Sequence, residues 1–370
     1  MARKRHNPYA ARRRAALREA CRQQPVNGLL ISNAADVGYL SGFSGSDSFL
    51  LLCADAGVLI TDGRYARQAA DECGDLERYV RTEPLSAAVA TVTRQRRLRR
   101  LGVQAEDVSL LQRDALARRL RGVRIAAIPH PVAASRAVKD AGEVRAIRRT
   151  IRIAQQAFLE LLSAGAEGLV GRTERDVAAD LDYRMRLGGA TGSAFETIVA
   201  AGAAAALPHY RPGSRRIRRD QAVLIDWGAR AGGYCSDLTR VVVIGRIPPK
   251  LARAYDVVRR AQRAGIAAVR PRVKARTVDA AARGVIAEAG FADAFVHGLG
   301  HGLGREVHEP PGVSRASQMR LRAGMVVTVE PGIYLPGVGG IRIEDDVLVT
   351  PDGWRTLSSL PRTRGVLTLR

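Results

Sequence analysis

The chain has 370 residues, of which 46% are hydrophobic and 26% are charged, so its composition is that of a folded globular protein and not of a disordered one. No apolar run reaches the roughly 18 residues that a membrane span requires. The net charge of +23 would suit a polyanionic partner, but the basic runs are dispersed, aromatic residues make up only 5%, and no nucleic-acid-binding motif accompanies them. We therefore expect neither a membrane protein nor a nucleic-acid-binding protein.

The first third of the chain predicts alternating strands and helices. The apolar runs N-G-L-L-I-S, S-F-L-L-L-C and G-V-L-I-T-D have the length of strands, and a helix is expected over 64–72. This alternation is typical of an α/β domain. We place its end within 131–139, which gives a first domain of residues 1–136.

The second domain, residues 137–370, is predicted to be α+β. Asp140 and Thr173 are each followed three residues later by a carboxylate, which is the capping-box pattern that begins a helix. Two more helices are expected over 250–269 and 278–289. Strand-like runs lie between and after these helices.

The cysteines bear on the cellular compartment. The chain has four, scattered without C-x-x-C spacing: Cys21, Cys53, Cys73 and Cys235. Free thiols in a reducing compartment fit this pattern better than a disulfide framework does. We therefore expect a cytoplasmic protein.

Two predicted hairpins each carry a pair of acidic residues. Asp226 in V-L-I-D-W-G and Asp237 in Y-C-S-D-L-T-R lie on either side of a Gly-Gly turn, so direct pairing would place them opposite each other. Glu330 in T-V-E-P-G and Glu344 in I-R-I-E-D-D repeat the arrangement about Gly337. Opposed like charges among Val and Ile are destabilising unless they share a cation. Either pair alone could be the solvated face of a surface ribbon, but two similar pairs favour a metal site.

A glycine-rich stretch between the hairpins, V-H-G-L-G-H-G-L-G-R-E-V-H-E-P-P-G, contains three of the six histidines. Four carboxylates with one neutral imidazole match the charge of two divalent cations, and oxygen-rich ligation suits manganese, cobalt or zinc. Two metals about 4 Å apart can share a bridging water and lower its pKa, which provides a hydroxide nucleophile. The sequence lacks H-E-x-x-H and G-x-S-x-G. These residues predict a metal-dependent hydrolase.

The motifs resemble those of the proline-specific metallopeptidases, aminopeptidase P and prolidase, whose catalytic domain has the pita-bread fold. The resemblance extends to F-E-T-I-V-A-A-G-A-A-A-A-L-P-H-Y on the substrate side of the family's site. It also extends to Y-L-S-G-F-S-G-S-D-S and L-I-T-D-G-R-Y in the smaller domain. It therefore covers nearly the whole chain and implies a creatinase-like domain over 1–136 and a pita-bread metallopeptidase domain over 137–370.

The resemblance also implies roles for individual residues. It implies that Glu330 acts in catalysis as well as in metal binding, that Arg342 orients a carboxylate or contacts the substrate, and that Tyr334 donates a hydrogen bond nearby. The implied ligands of a dinuclear metal centre are Asp226, Asp237, His301, Glu330 and Glu344. The histidines implied to hold the scissile carbonyl, stabilise the oxyanion or move protons are His209, His297 and His308.

The activity implied by the resemblance is that of an Xaa-Pro aminopeptidase, in which a metal-bridging hydroxide attacks the bond before proline and releases the N-terminal residue. The alternative is an Xaa-Pro dipeptidase (prolidase), which shares the same ligands. A creatinase-like hydrolase or a metal-free binding protein is less favoured because all five ligands are present. A basic binding module would need none of them, and methionine aminopeptidase usually lacks the preceding α/β domain.

The expected cofactors are two divalent cations, with manganese favoured over cobalt and zinc. The expected partners are a small peptide with proline at its second position and further copies of the chain, as a homodimer or homotetramer. One segment departs from the family, because R-P-G-S-R-R-I-R-R-D beside His209 is unusually basic. We interpret it as solvated surface, with recognition of a substrate carboxylate as the alternative.

Overall fold

The computed structural model describes residues 8–21 and 26–362. The chain divides into two compact units, Met1–Arg136 and Ala137–Arg370. None of the described helices combines the length and the apolar character that crossing a bilayer requires.

The first unit is built on one mixed six-stranded sheet. Its strands are β1 (Gly28–Ile31), β2 (Phe49–Cys53), β3 (Gly57–Asp62), β4 (Glu77–Arg81), β5 (Arg100–Gln104) and β6 (Arg124–Ile128). They lie in the order β4-β3-β2-β1-β5-β6. The helices in this part of the chain are α1 (Pro8–Cys21), α2 (Ala34–Ser41), α3 (Ala66–Glu72), α4 (Leu85–Gln95), α5 (Leu110–Arg119) and α6 (Ala133–Ala137).

Both faces of this sheet are covered. Leu29 and Ile31 of β1 pack with Leu17 of α1, whereas Leu30 packs with Val89 of α4. Successive strand residues point to opposite faces, so burial on both faces produces the continuous apolar runs seen in the sequence. The predicted α/β class is confirmed. The helix expected over 64–72 begins as a 3-10 turn and becomes α-helical only at α3.

The second unit, as far as residue 362, contains four α-helices and several small sheets. The helices are α7 (Ala141–Leu161), α8 (Glu174–Leu187), α9 (Pro249–Ala268) and α10 (Ala275–Glu288). The strands up to the histidine stretch are β7 (Gly192–Ser193), β8 (Ile198–Ala201), β9 (Gln221–Trp227), β10 (Ala229–Ala231), β11 (Tyr234–Cys235) and β12 (Leu238–Ile244). The later strands are β13 (Gly300–Gly302), β14 (Glu309–Val313), β15 (Val326–Val329), β16 (Gly332–Leu335), β17 (Gly339–Arg342), β18 (Asp345–Val349) and β19 (Trp354–Thr356).

The helices of the second unit pack on both faces of the sheet β12-β9-β8. Leu224 of β9 belongs to a core shared with α9 and α10, and its neighbours Val223 and Ile225 belong to a core shared with α7 and α8. Both predicted capping boxes are present, at Asp140 and Thr173. The α+β class predicted for this part of the chain is confirmed.

The first acidic hairpin forms, but its predicted register was wrong. Asp226 pairs with Thr239 and not with Asp237. The turn lies at the two glycines that follow Ala231, which pairs with Tyr234. This register places Asp237 diagonally from Asp226, and because Asp237 is two residues from Thr239, both carboxylates still lie on one face of the ribbon.

The second acidic hairpin has the predicted register. Val329 of β15 pairs with Asp345 of β18, and Gly332 of β16 pairs with Arg342 of β17. Glu330 and Glu344 therefore lie opposite each other, where one strand pair gives way to the next. This break leaves their side chains free to turn toward the first hairpin.

Candidate metal centre

The two acidic hairpins and the histidine stretch meet at one cavity of about 500 Å³. Nine of the ten residues singled out from the sequence line it: His209, Asp226, Asp237, His297, His301, His308, Glu330, Arg342 and Glu344. Tyr334 is not part of the lining but forms a hydrogen bond with His297. The structure therefore brings together side chains that lie more than one hundred residues apart in the chain.

His301 lies among the carboxylates. Its Nε2 atom is 3.5 Å from Asp237 Oδ2 and 3.4 Å from Glu330 Oε1. Asp237, His301 and Glu344 each offer one ligand atom, and these three atoms lie within 4.8 Å of one another. This spacing is compatible with a single cation contacted by all three residues.

The backbone around His301 fixes which ring nitrogen faces the carboxylates. His301 Nδ1 is 3.1 Å from the carbonyl oxygen of Gly302, which can only accept, so Nδ1 carries the proton and Nε2 is left as a lone-pair donor. The His301 backbone N–H donates to Thr328 Oγ1 at 3.0 Å, and that hydroxyl donates to Glu330 Oε1 at 3.2 Å. A Cβ atom on Gly300 would overlap the carbonyl oxygen of Thr328, so glycine permits this close approach of strands.

The cluster concentrates like charges in a buried site. Burial, and then repulsion from neighbouring carboxylates, raises the pKa of Asp237 and of Glu344 well above the ordinary range. Burial also raises the pKa of Glu330 to about 8 and lowers the pKa of His301 to about 4. Among the described residues, Asp226 Oδ1 and Glu344 Oε1 are buried without a hydrogen-bond partner. Deprotonated oxygens with one neutral nitrogen are the donor set of a divalent cation, so these residues fit one.

Arg342 is committed to the acidic cluster. Its buried guanidinium forms an ion pair with Asp226 and donates to Thr239 Oγ1 at 3.2 Å and to the carbonyl oxygen of Pro208 at 3.3 Å. Thr239 in turn donates to Glu344 Oε2 at 2.7 Å. Arg342 therefore orients the Asp226 carboxylate, and the role expected for it toward the substrate stays a prediction.

Tyr334 links Arg342 to His297. Arg342 Nη1 donates to the Tyr334 hydroxyl at 2.7 Å, and that hydroxyl lies 2.9 Å from His297 Nε2. His297 Nδ1 lies 2.7 Å from the carbonyl oxygen of Gly298, so Nδ1 carries the proton and Nε2 accepts from Tyr334. Burial lowers the pKa of His297 to about 4, which keeps the ring neutral. The Tyr334 hydroxyl is therefore held between Arg342 and His297, and its expected hydrogen bond to the substrate stays a prediction.

The other two histidines have more solvent access. His209 and His308 are both exposed. The rings of His308 and His301 meet edge to face with centroids 4.2 Å apart. Both exposed rings are therefore available to a molecule that enters the cavity.

Several residues of the site were missed from the sequence. Thr239 connects Arg342 to Glu344, and Asp346 Oδ2 accepts from the backbone N–H of Asp237 at 3.4 Å. The available signal for Thr239 was its position two residues after Asp237, on the same face of the ribbon. The rest of the cavity wall includes Phe195, Glu196, Ile198, Pro208, Tyr210 and Arg211.

Comparison with known protein families gives matches over both units. Residues 145–351 match the model of metallopeptidase family M24, and residues 13–138 match the Creatinase/Prolidase N-terminal domain. The first match spans more than half of the chain. It includes every residue discussed above as a candidate ligand.

Individual proteins and solved structures similar to this chain support the same family. An Xaa-Pro dipeptidase of Pyrococcus horikoshii is 41% identical over 227 residues, which is 61% of this chain and 64% of that one. The solved structure of an Xaa-Pro dipeptidase from Bacillus anthracis matches with a TM-score of 0.92 and 33% identity, over 95% of this chain and 98% of that one. An X-Pro aminopeptidase from Thermotoga maritima matches with a TM-score of 0.87 and 36% identity, over 93% and 99% of the two chains. The chain belongs to metallopeptidase family M24, with a creatinase-type N-terminal domain followed by a pita-bread catalytic domain.

Proposed function

We propose that the protein is a metal-dependent Xaa-Pro dipeptidase. The observation that carries this proposal is the cavity in which four buried or half-buried carboxylates and the Nε2 atom of His301 converge, with three further histidines on the same wall. Such a donor set suits hydrolysis by a metal-activated water. The family is that of metallopeptidases, so the bond that is cleaved is a peptide bond.

The proposed ligands of two divalent cations are Asp226, Asp237, His301, Glu330 and Glu344. When bound, such a pair of cations supplies Lewis-acid polarisation of a carbonyl oxygen and a water of lowered pKa. Oxygen-rich ligation favours manganese over softer metals, with cobalt and zinc as alternatives. Arg342 balances part of the negative charge and holds Asp226 in place through their ion pair.

The remaining side chains act on protons and on the substrate. Glu330, whose Oε1 lies 3.4 Å from His301 Nε2 within the proposed ligand set, is assigned the transfer of a proton beside the metal-activated water. His209 and His308, as exposed rings, donate hydrogen bonds to the carbonyl oxygen on which negative charge develops. His297 and Tyr334 satisfy each other, so their part is to hold the cavity wall and Arg342 in place.

Two observations favour a dipeptide over a longer substrate. Curated relatives with 41% identity carry the name Xaa-Pro dipeptidase. Arg211 lines the cavity with its side chain exposed, and its one described ionic contact is with the exposed Glu196 at 3.4 Å. A dipeptide brings its free carboxylate into the cavity, and a guanidinium binds a carboxylate with two parallel hydrogen bonds. Phe195 and Ile198 offer apolar surface for the proline ring.

The aminopeptidase that we first expected is the second candidate, because the Thermotoga maritima relative carries the name X-Pro aminopeptidase. A homodimeric or homotetrameric state and a cytoplasmic location stay predictions. Buried free thiols at Cys53, Cys73 and Cys235 are compatible with a reducing compartment.

The test is hydrolysis of Ala-Pro, Ala-Pro-Ala and Ala-Ala-Ala by full-length protein loaded with manganese, cobalt or zinc. Cleavage of Ala-Pro alone is the expected result. Cleavage of Ala-Pro-Ala with release of the N-terminal alanine would identify an aminopeptidase instead. No turnover of either proline peptide by protein shown to contain metal would reject the proposed function.

A further inference from the structure

The three histidines other than His301 that line the cavity lie on irregular segments. His209 lies between β8 and β9, His297 between α10 and β13, and His308 directly before β14. Regular strand pairing does not fix these residues, so their position depends on other contacts. In each case a carboxylate outside the acidic cluster contacts the same segment.

Glu174 holds the segment that carries His209. This residue begins α8 and is completely buried. Its Oε1 accepts from the Ala201 backbone N–H at 2.9 Å, and its Oε2 accepts from the Gly213 backbone N–H at 3.2 Å. Oε2 also accepts from the Tyr210 hydroxyl at 2.8 Å. One carboxylate therefore binds the backbone on both sides of the histidine and the side chain of the residue next to it.

Asp279 and Arg283 hold the segment that carries His297. Asp279 is buried in α10 and accepts from the Leu299 backbone N–H at 3.0 Å. The same carboxylate binds Arg283 through two hydrogen bonds of 2.8 Å. Arg283 donates in turn to the carbonyl oxygens of His297 at 2.7 Å and of Phe295 at 3.0 Å. The pair thus binds the backbone before, at and after the histidine.

Glu309 holds the turn that leads into His308. Its Oε1 accepts from the backbone N–H groups of Arg305 at 2.8 Å and of Glu306 at 3.1 Å. Its Oε2 contacts Lys139 Nζ at 3.2 Å, and both side chains of this ion pair are almost fully buried. A buried pair of this kind is costly to break, because either partner left alone would be an uncompensated charge.

We propose that these three carboxylates are positioning residues, each of which fixes the ring of one cavity-lining histidine through the backbone that carries it. Charge-assisted hydrogen bonds to backbone N–H groups are short and directional, so they hold a loop more tightly than neutral contacts do. That His209 and His308 act on the substrate, and that His297 supports Arg342 through Tyr334, rests on the proposed function. That the carboxylates position them does not. The assignments are Glu174 for His209, Asp279 for His297, and Glu309 for His308.

The positions of the rings can be tested without measuring activity. Labelling histidine with ¹³C at Cε1 in the metal-free full-length protein provides one resonance for each of six histidines, assigned with single His→Gln variants. We expect Glu174→Gln to shift mainly the resonance of His209. Asp279→Asn should act in the same way on His297, and Glu309→Gln on His308. Equal responses of all three histidines, or a strongest response from a different one, would overturn the proposal.

Kinetics test whether each carboxylate acts through its histidine. On Ala-Pro, each amide variant is expected to lower kcat by about 10- to 100-fold and to change KM by less than about threefold, as is typical of residues that orient a functional group. In the background of Ala at its own histidine, the same change should add less than about twofold. If an amide substitution lowers kcat by the same factor when its histidine is already alanine, the carboxylate acts on the structure in general and the proposal is rejected. No Ala-Pro turnover by wild type would contradict the proposed function only, because the resonances still report the positions.

Asp180→Asn is the matched control. Asp180 lies on α8 like Glu174 and pairs with Arg172 and Arg184, but none of its described contacts is with a histidine-bearing segment. It should leave the histidine resonances and kcat unchanged, and resonance changes equal to those of Glu174→Gln would count against the proposal. If Asp279→Asn does not fold, Arg283→Lys tests the same contact. Lysine keeps the positive charge but cannot donate to the carbonyl oxygens of Phe295 and His297 at the same time. It should shift the resonance of His297, and an unchanged resonance would overturn the assignment.

Discussion

The imidazole of His301 is the one nitrogen donor among the proposed ligands. His301→Ala removes that donor and leaves like charges facing one another, so metal binding should weaken steeply. We expect at least a 100-fold loss of Ala-Pro hydrolysis and a clear loss of bound metal after dialysis, measured by elemental analysis. His130→Ala, which changes an exposed histidine beside Glu106, is the control. Full metal content in the His301 variant would show that this residue is not a ligand.

Arg211 is the residue whose loss should separate substrates by their C-terminal charge. Arg211→Ala should raise KM for Ala-Pro by about tenfold, since a hydrogen bond to a charged group contributes about 1.5–3 kcal/mol. It should leave KM for the amide of Ala-Pro unchanged, because the amide lacks the carboxylate. Arg218→Ala, in the same basic segment but outside the cavity lining, should have no effect. An equal change in KM for Ala-Pro and for its amide would show that Arg211 does not bind the substrate carboxylate and belongs to the solvated surface.

At this scale the sequence was informative about which residues meet, but not about the contacts they make. Acidic pairs in apolar strands and a histidine-rich glycine stretch predicted the cluster, because such residues are costly to bury alone. The ion pair of Arg342 with Asp226 spans 116 positions, and the contact of Tyr334 with His297 spans 37. Partners in such pairs depend on the packed position of each element, which no local pattern encodes.

Among the elements, β13 carries His301 and depends on glycine for its approach to β15. Gly300→Ala would place a methyl group against the carbonyl oxygen of Thr328 and force the strands apart. We expect a loss of about 1–3 kcal/mol in the free energy of unfolding, as for other overpacked sites, with weaker metal binding. Urea denaturation and metal titration would measure the two effects. Gly312→Ala in β14 is the control, since a methyl group there meets nothing within 4 Å.

The two acidic hairpins show how far register can be predicted. The prediction for Glu330 and Glu344 was right because the turn is centred on Gly337, where we placed it. The prediction for Asp226 was wrong by two positions, because the turn centre lies between Gly232 and Gly233, one residue later than we placed it. A register shift of two residues keeps each side chain on the same face of the ribbon, so the predicted meeting of the two aspartates in one site was still correct.

At the scale of the whole molecule, the acidic cluster couples stability to pH and to metal. In the metal-free protein, the pKa of Glu330 is raised to about 8, and the pKa values of Asp237 and Glu344 are raised as well. The folded state therefore binds these protons more tightly than the unfolded state does. Their stabilising contribution is complete below about pH 4, where unfolded carboxyls are also protonated, and is lost as the pH rises toward 8. His297 and His301, whose pKa values are lowered to about 4, act in the opposite direction up to about pH 6.5, but two histidines offset only part of the effect of three carboxyls.

We accordingly expect metal-free protein to melt several degrees lower at pH 8 than at pH 5.5, as measured by calorimetry after chelation. Manganese should restore the melting temperature at pH 8 and act less at pH 5.5, because protons compete with the cation for the same oxygens. Glu330→Gln should weaken the dependence of the melting temperature of the metal-free protein on pH. A melting temperature of the metal-free protein that rises between pH 5.5 and 8 would contradict this account.

The overall architecture could be predicted in class but not in arrangement. Continuous apolar runs near β1, β2 and β3 indicated strands buried on both faces, which are typical of an α/β domain. The order β4-β3-β2-β1-β5-β6, which mixes parallel and antiparallel neighbours, could not be predicted. Strand order depends on long-range pairing and on the packing of α1 and α4 on the two faces of the sheet. Hydrophobic periodicity is a local property and carries no information about either.

The spacing of the acidic hairpins along the chain also bears on how the protein matures. Thr239 lies 105 positions before Glu344, the proposed metal ligand to which it donates, and Arg342 lies 116 positions after the Asp226 that it holds. A nascent chain that has passed β12 therefore has two of the carboxylates but neither the imidazole nor the remaining acids. On the proposed ligand set, the site is complete only after Glu344, which follows β17, has been synthesised and both hairpins have closed, so we expect metal uptake to follow the synthesis of almost the whole catalytic domain.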